Sequence, residues 1–563
     1  MRQQSRMENF FSEAIRLIRE KRPDKEELNR IKSRLCRKYR LKEIPTDIQI
    51  FLNAGKEDYH LLKSCIMTKP TRTISGVAVC AVMTRPKRCP HGKCAMCPGG
   101  PGSFFGDVPQ SYTGKEPATL RAVRNRYDPY LQVMNRLEQY VVLGHFPDKL
   151  ELIIMGGTFI SAPRGYQDIF VTASLKAMND FSGLFFRKGC FDSVRFKEFF
   201  ELPGNISDTE RTARLRMRLL KLKKAGRKNL EAEQRINEKA SIRCVGLTIE
   251  TRPDCAMLKH ANQMLRLGCT RVELGVQSVY ETALKRLERG HTVKDTIDAT
   301  RVLKDLGFKI NYHLMPGIPG VTKEKDLYGM RCIFSNPDFR PDMLKVYPCM
   351  VLRGTKLFRL YELGKFRPLT TKSAAEMIAE FKNDVPEYCR IMRVQRDIPT
   401  NMTAAGVDRT NLRQYIEAVM EEKGYRCRCI RCREIGRHKG KPGKPVIKLI
   451  EYSASEGTEF FISAETTDGN SIIGFCRLRF PGRFLRKEIT GETALIRELH
   501  VFGEAAPLGG EGKVQHRGIG RILLREAERT ARQRGRGKML IISGIGARDY
   551  YRRWGYRKEG PYT

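Results

Sequence analysis

Apolar and polar positions alternate in blocks along this 563-residue chain. Between residues 76 and 390, short apolar runs are separated by longer segments with an apolar residue every three or four positions. The runs VAVCAVM (77–83), LELIIM (150–155), IRCVGLTIE (242–250), RVELGV (271–276), FKINYHL (308–314) and MLKVYP (343–348) read as buried strands. Between them, AMLKHANQMLRLG and TVKDTIDATRVLKDLG read as amphipathic helices, each closing on Gly. Strand–helix alternation predicts an α/β fold with a parallel sheet, and six units fit a partial, TIM-like (βα)6 barrel better than a complete eightfold one. A helical insertion separates the second and third strands, and Ser207-Asp208-Thr209-Glu210 predicts its start as a capping box.

Either side of 76–390 the pattern changes. Residues 1–75 read as basic helices, with Leu28, Ile31 and Leu35 on one side, followed by a linker. Residues 391–445 form a connector rich in Cys, Gly, Lys and Arg. From 446 to 563 the runs VIKLIEYSA, EFFISAETT, SIIGFCRLRF and ALIRELHVF, then a helix and KMLIISGIG, predict a second, smaller α/β domain.

Charge narrows the partners. Lys and Arg number 104 against 63 Asp and Glu, a formal net charge of +41. The excess is clustered: Arg16–Lys42 holds twelve Lys/Arg and four acids, Arg211–Lys228 nine and none, Lys423–Lys448 ten and one. Clustered cations of this density imply a polyanionic partner, because each phosphate contact releases counterions. The N-terminus has no apolar core of signal-peptide length, and no run approaches a membrane span. The chain is expected in the cytoplasm, its 17 Cys reduced and its tight Cys clusters serving as metal ligands.

Two such clusters stand out. Cys89-x4-Cys94-x2-Cys97 directly follows the first strand, where barrels of this kind collect their chemistry. Three thiolates suit an iron–sulfur cluster with one iron left open, while a zinc site using His91 as fourth ligand is the alternative. The next strands end in Gly156-Gly157, Glu250-Thr251-Arg252-Pro253, Gln277-Ser278 and HLMPGIPG (313–320). This set resembles the radical S-adenosylmethionine enzymes. The resemblance implies a [4Fe-4S] cluster on Cys89, Cys94 and Cys97, with S-adenosylmethionine held near Gly156, Gly157, Glu250, Arg252 and Gln277. The usual first gap in that family is x3, and here it is x4. In the connector, Cys427-x-Cys429-x2-Cys432 predicts a small structural zinc site, with His438 and Cys349 as candidate fourth ligands.

Near the C-terminus, Gln515-x2-Gly518-Ile519-Gly520-Arg521 opens a helix, an arrangement that offers backbone N–H groups to a pyrophosphate. IRELHVF precedes it, and a strand and Tyr550-Tyr551 follow. This order resembles the GNAT acyltransferases, which bind acetyl-CoA, and one of the two tyrosines is expected to be core packing. Glu498 and His500 are candidates for polar contacts near a thioester.

The two halves together, with CPGGPGSFFGDVPQSYTGKEP, MGGTF, VQRDIP, RELHVFG and QHRGIGR, resemble the Elp3 family, the catalytic subunits of Elongator, in an archaeal or bacterial-like form. The resemblance implies 5-carboxymethyluridine formation at the wobble uridine of tRNA, from acetyl-CoA and S-adenosylmethionine, with the anticodon stem-loop as the part recognised. It also implies acetyl-CoA contacts at Lys149, Glu498, Leu499, His500, Val501, Ile519, Gly520, Arg521 and Tyr551, among which Lys149, His500 and Tyr551 are the catalytic candidates. Lys149 lies outside the acetyltransferase domain and would bridge the two. A protein lysine acetyltransferase with a structural iron–sulfur domain is the main rival. A strongly basic enzyme repels a basic substrate tail, so the sign of the charge favours tRNA.

Overall fold

The computed structural model describes residues 2–55, 58, 76–204, 208–226, 228–437, 444–502 and 518–563. At the N-terminus, α1 (Arg2–Lys21), α2 (Lys25–Lys38) and α3 (Asp47–Asn53) close on a small core that includes Phe10, Ile18, Leu28, Ile31, Leu35 and Phe51. Leu28, Ile31 and Leu35 are its buried stripe, as their spacing requires. Asp24 caps α2 by accepting from the Glu27 amide at 2.9 Å. Phe146 and Phe191 of the barrel pack on this core, so the helices are docked, not tethered. Asn29, Arg30, Ser33, Arg34, Arg37 and Lys38 line a groove on the outer face of α2.

Seven strands form one sheet: β1 (Ala78–Met83), β2 (Lys149–Met155), β3 (Arg243–Thr251), β4 (Arg271–Gln277), β5 (Lys309–Leu314), β6 (Met343–Val346) and β7 (Arg390–Arg393). Their spatial order is their chain order, and every neighbouring pair is parallel. The barrel is therefore partial, with seven strands instead of the expected six. β7 lies at the start of the stretch expected to be connector; four residues with Arg at both ends carry no apolar run to betray a strand. Along β2, Leu150, Leu152 and Ile154 are buried while Lys149, Glu151, Ile153 and Met155 are half-buried, which is the period of a strand with one face on a lumen. The insertion between β2 and β3 is helical, as expected. Ser207 lies outside the described residues. Asp208 is the N-cap of Thr209–Lys224, accepting from the Arg211 amide at 2.9 Å, so Arg211 and not Glu210 takes the third helical position and the expected capping box is not formed.

The C-terminal sheet runs β8 (Val446–Ala454), β9 (Gly457–Glu465), β10 (Ile472–Phe480), β11 (Thr493–Val501) and β12 (Lys538–Ile541), with α4 (Ile519–Gln533) between the last two strands. β8 to β11 are antiparallel neighbours, whereas β12 runs parallel to β11 and pairs with it only over Thr493–Ile496. The rest of β11 therefore diverges from β12. A bulge sits there too: Arg477 faces Glu498 and Leu478 faces Ile496, leaving Arg497 as the extra residue.

This second domain covers the N-terminal ends of the barrel strands. Gly544 approaches the carbonyl of Val245 so closely that a Cβ would sit 2.0 Å from its oxygen, and Gly546 packs on Arg243. Buried ion pairs fasten the seam: Arg497 to Asp342 (2.5 Å) and Glu459 (2.9 Å), Arg479 to Asp305 (2.5 Å), and Lys304 to Glu459 (3.4 Å). Burial pushes Asp342 up, but Arg497, Lys304 and Arg477 outweigh it and hold the carboxyl well below its usual range.

Candidate active site in the barrel lumen

A cavity of about 460 Å³ fills the barrel. Its upper end, at the carboxyl ends of the strands, is lined by Cys89, Cys94 and Cys97. These three sulfurs do not all fall within 4.8 Å of one another, a limit that Cys427, Cys429 and Cys432 meet. One tetrahedral ion with bonds of about 2.3 Å needs its sulfurs roughly 4 Å apart, so the wider upper set fits a multi-iron cluster and the tighter connector set a single ion. The upper thiols also have donors aimed at sulfur. Ser111 N lies 3.2 Å from Cys97 Sγ, and Arg289 Nη1 3.4 Å from Cys94 Sγ; His91 Nε2 lies 3.0 Å from the same sulfur and donates to it in the Nε2–H tautomer. Such donors stabilise negative charge on ligating sulfur. His91 thus leans on a ligand sulfur, which weakens its reading as the fourth ligand of a zinc. Burial pushes the Cys89 and Cys97 thiols up, so cationic iron is what would deprotonate them.

The expected strand-end residues meet here. Gly156 has φ +117°, and a Cβ on it would lie 2.4 Å from Thr84 Oγ1; Gly157 follows at φ +86°, with Cys89 Sγ within 3.7 Å of its Cβ position. Only glycine lets this turn approach the thiols. Glu250 accepts from Tyr112 Oη at 3.0 Å. Arg252 is pinned by Asp254 (2.6 Å) and donates to the Gly290 carbonyl at 3.0 Å, while its Nη1 is buried without an acceptor among the described residues. Gln277 ends β4 in a left-handed conformation, φ +68°.

Sequence reasoning missed the lower half of the lumen. Glu151, Arg271, Glu273, His313 and Lys345 line it. Glu273 is clamped between Lys345 and His313, with His313 Nε2 at 2.8 Å. Burial pushes this carboxyl up, but Lys345 and His313 together hold it well below its usual range. The signal was available: Arg271 and Glu273, Asn311 and His313, and Lys345 are polar residues on alternate positions of otherwise apolar strands, which is how a parallel strand facing a wet lumen reads.

On the acetyltransferase side, Gly518 is left-handed (φ +79°) and opens α4 at Ile519, with Gly520 and Arg521 in its first turn. Arg521 lies over the Trp554 ring at 4.0 Å. Tyr550 sets its hydroxyl 2.8 Å from where a Gly520 Cβ would be, whereas Tyr551 is buried in the domain core and is the packing member of the pair. Leu499 and Val501 pack half-buried on the same core. Glu498 is bonded by Arg477 Nε at 2.9 Å and faces Lys309 Nζ, from the barrel, at 3.8 Å. His500 stacks near-parallel on Phe475, and its Nε2 is buried without a partner among the described residues. Burial pushes the imidazole pKa down, so it is neutral at pH 7. Gln515 lies outside the described residues. Lys149 begins β2 in register with Arg243, on the barrel end that the acetyltransferase domain covers, and burial lowers its pKa.

In the connector, hydrogen bonds with Cys427 and Cys432 hold the Cys429 thiol well below its usual range. Of the candidate fourth ligands, His438 lies outside the described residues. Cys349 is buried among Ala95, Met315, Val351 and Leu357, in a different hydrophobic cluster from Cys429, and is set aside.

Known proteins settle the family. The ELP3 N-terminal domain model matches residues 8–74, the Radical SAM superfamily 83–328, the Radical SAM C-terminal domain 341–422 and the GNAT acetyltransferase family 430–556. The chain is 46% identical to the tRNA uridine(34) acetyltransferase of Methanocaldococcus infernus, over 96% of this chain and 95% of that one. It belongs to the Elp3 family. Human Elongator complex protein 3 is 39% identical over 95% of this chain and 92% of its own. The solved structure of Methanocaldococcus infernus Elp3 with an N-terminal deletion superposes with a TM-score of 0.70 at 42% identity, covering 87% of this chain and 99% of that one. Elp3-family membership, with radical-SAM and GNAT domains in one chain, makes this protein an acyltransferase. Among the described residues, no helix is long and apolar enough to cross a membrane.

Proposed function

We propose that this protein forms 5-carboxymethyluridine at uridine 34 of tRNA, in the cytoplasm, using acetyl-CoA as the carbon donor. The observation that carries the reading is one cavity with three cysteines at its upper end and, at its lower end, Arg271 beside the Lys309–Glu498 pair of the acetyltransferase seam. When bound, a [4Fe-4S] cluster on Cys89, Cys94 and Cys97 with S-adenosylmethionine supplies a 5′-deoxyadenosyl radical, which can take hydrogen from an acetyl methyl group.

The chain's own residues do the rest. Gly157 gives the backbone room beside Cys89, Arg252 offers a buried N–H to a carboxylate, and Glu250, Tyr112 and Gln277 supply polar contacts for the amine and sugar. Gly518, Ile519 and Gly520 present amides at the positive end of α4 to a pyrophosphate. The open edge of β11, at Glu498–Val501, suits the amides of a pantetheine arm. His500, neutral and without a partner at Nε2 among the described residues, takes the proton of a water that attacks the thioester. Tyr550 stands at the helix start, and Tyr551 backs it from the core. Lys149 is placed to meet the donor from the barrel side. Cys427, Cys429 and Cys432 hold a structural zinc ion. The basic groove of α2 and the basic insertion helix bind tRNA phosphates.

The test is mass spectrometry of uridine 34 after anaerobic incubation with tRNA, acetyl-CoA, S-adenosylmethionine and dithionite. Gain of one carboxymethyl group is the expected result. Unmodified uridine, with rapid acetylation of a basic peptide instead, would favour the protein acetyltransferase.

A further inference from the structure

We propose that the lower half of the lumen, around Arg271, is a binding site for a short carboxylate, and that the two-carbon unit crosses from the acetyltransferase sheet to the thiol chamber as free acetate. This rests on acetyl-CoA being the donor, as read above.

Eight Lys and Arg side chains line the whole chamber against five Asp and Glu, and its lower half holds Arg136, Arg271 and Lys345 against Glu151 and Glu273. Its lower donors are built and unfilled. Arg271 is 5% exposed, its Nε meets no acceptor among the described residues, and its Nη1 faces only the Met343 sulfur at 3.9 Å. Glu151 holds Nη2. Arg136, which lines the same lower half beside Val79 and Tyr140, likewise has a buried Nε without an acceptor. Buried charged donors are rarely left so unless a ligand completes them. These groups lie below the donors near the thiols, Arg252 and Arg289, and so are not the same subsite.

The position joins the two chemistries. Arg271 and Lys309 are register partners at the feet of β4 and β5. Lys309 reaches Glu498 at 3.8 Å across the seam, and Arg271 also feels the charge of Glu498. Above them Lys345, in register with His313, is the next cation up the lumen. A thioester is neutral and gains nothing from these cations, whereas a carboxylate is drawn to them in competition with Glu498, Glu151 and Glu273.

The step that makes the carboxylate balances without any redox partner. Water oxygen bonds to the acetyl carbonyl carbon, the carbon–sulfur bond breaks, and coenzyme A leaves as the thiol with one proton. The other proton goes to His500 Nε2, and acetate pairs first with Lys309 and then with Arg271.

The experiment compares holoenzyme and the Arg271→Met variant, anaerobically with tRNA, reading coenzyme A released per carboxymethyl group formed. The ratio is expected to rise about tenfold or more in the variant and to recover partly in Arg271→Lys. A second readout is saturation-transfer NMR of the acetate methyl on each holoenzyme without coenzyme A, expected in the wild type and lost in Arg271→Met. An unchanged ratio together with unchanged saturation transfer overturns the proposal. So does loss of S-adenosylmethionine binding to the Arg271→Met holoenzyme, measured without tRNA or coenzyme A, which would give Arg271 to S-adenosylmethionine. A wild type that forms no carboxymethyluridine sinks the donor reading instead, and acetate saturation transfer then still decides whether the site exists.

Discussion

At the lower end of the barrel, Asp342 accepts from Arg497 at 2.5 and 2.8 Å and from the Ile310 amide at 2.9 Å. At the upper end, Arg252 and Arg289 each keep a buried N–H without an acceptor among the described residues, beside three thiols that hold no shared ion geometry. Both ends bury arginine, which water would otherwise solvate, so each must be compensated. Below, protein carboxylates compensate, and the result is a mount that fixes the acetyltransferase sheet to the strand feet. Above, Asp254 and two backbone carbonyls take part of the two guanidiniums, and Arg252 Nη1 and Arg289 Nε are left for a ligand among the described residues.

The sharpest way to break this comparison is to empty the upper end. A Cys89→Ala, Cys94→Ala, Cys97→Ala variant should bind no iron or sulfide after anaerobic reconstitution and form no modified uridine. Its melting midpoint should stay within about 3 °C of wild type, because those side chains face a cavity. A variant that kept its iron would contradict the assignment. The lower end should respond the opposite way. Asp342→Asn strips charge from a site that faces Arg497 and Arg477, and should cost about 3–5 kcal/mol. Urea unfolding should show it as early loss of the acetyltransferase domain, and unchanged stability would show that the network is not the mount.

A smaller effect concerns pH. His500 has its pKa lowered by burial, below the ordinary value of about 6.5. Neutral imidazole therefore persists on the acid side of that value, and the stability tied to it is fully present above the ordinary value and is lost as pH falls from there through the depressed pKa. Acetyl-CoA hydrolysis should share this limb. Glu498 favours the imidazolium, so Glu498→Gln should move the limb to still lower pH. A limb at or above 6.5 would remove His500 as the base. The smallest effect lies outside both ends. Arg34→Ala, in the α2 groove, should weaken tRNA binding a few-fold and reduce the salt slope by about 1. An unchanged slope would mean that this face is merely solvated.

Much of this was legible in the residues. Six strands declared themselves through apolar runs, and Leu28, Ile31 and Leu35 through their spacing, because burial on one face imposes a period. The cysteine spacings declared two metal-type sites, an iron–sulfur cluster at Cys89, Cys94 and Cys97 and a zinc at Cys427, Cys429 and Cys432, but not a fourth ligand for the second, which depends on what the fold brings near. β7 was hidden because Arg390 and Arg393 frame a four-residue strand. Arg271, Glu273, His313 and Lys345 were hidden by rarity: buried charge inside strands is tolerated only where distant strands bring partners, and that pairing is a property of the closed sheet. Tyr550 and Tyr551 could be told apart only by helix phase against the core.

The measurement closest to the central claim uses acetyl-CoA carrying a fully deuterated methyl group, in an anaerobic reaction with tRNA and S-adenosylmethionine. If the two-carbon unit meets the radical chamber, 5′-deoxyadenosine should acquire one deuterium and the carboxymethyl group on uridine 34 should keep the other two. Carboxymethyluridine formed with no deuterium in 5′-deoxyadenosine, or deuterated acetyl found on protein lysines instead, would contradict it.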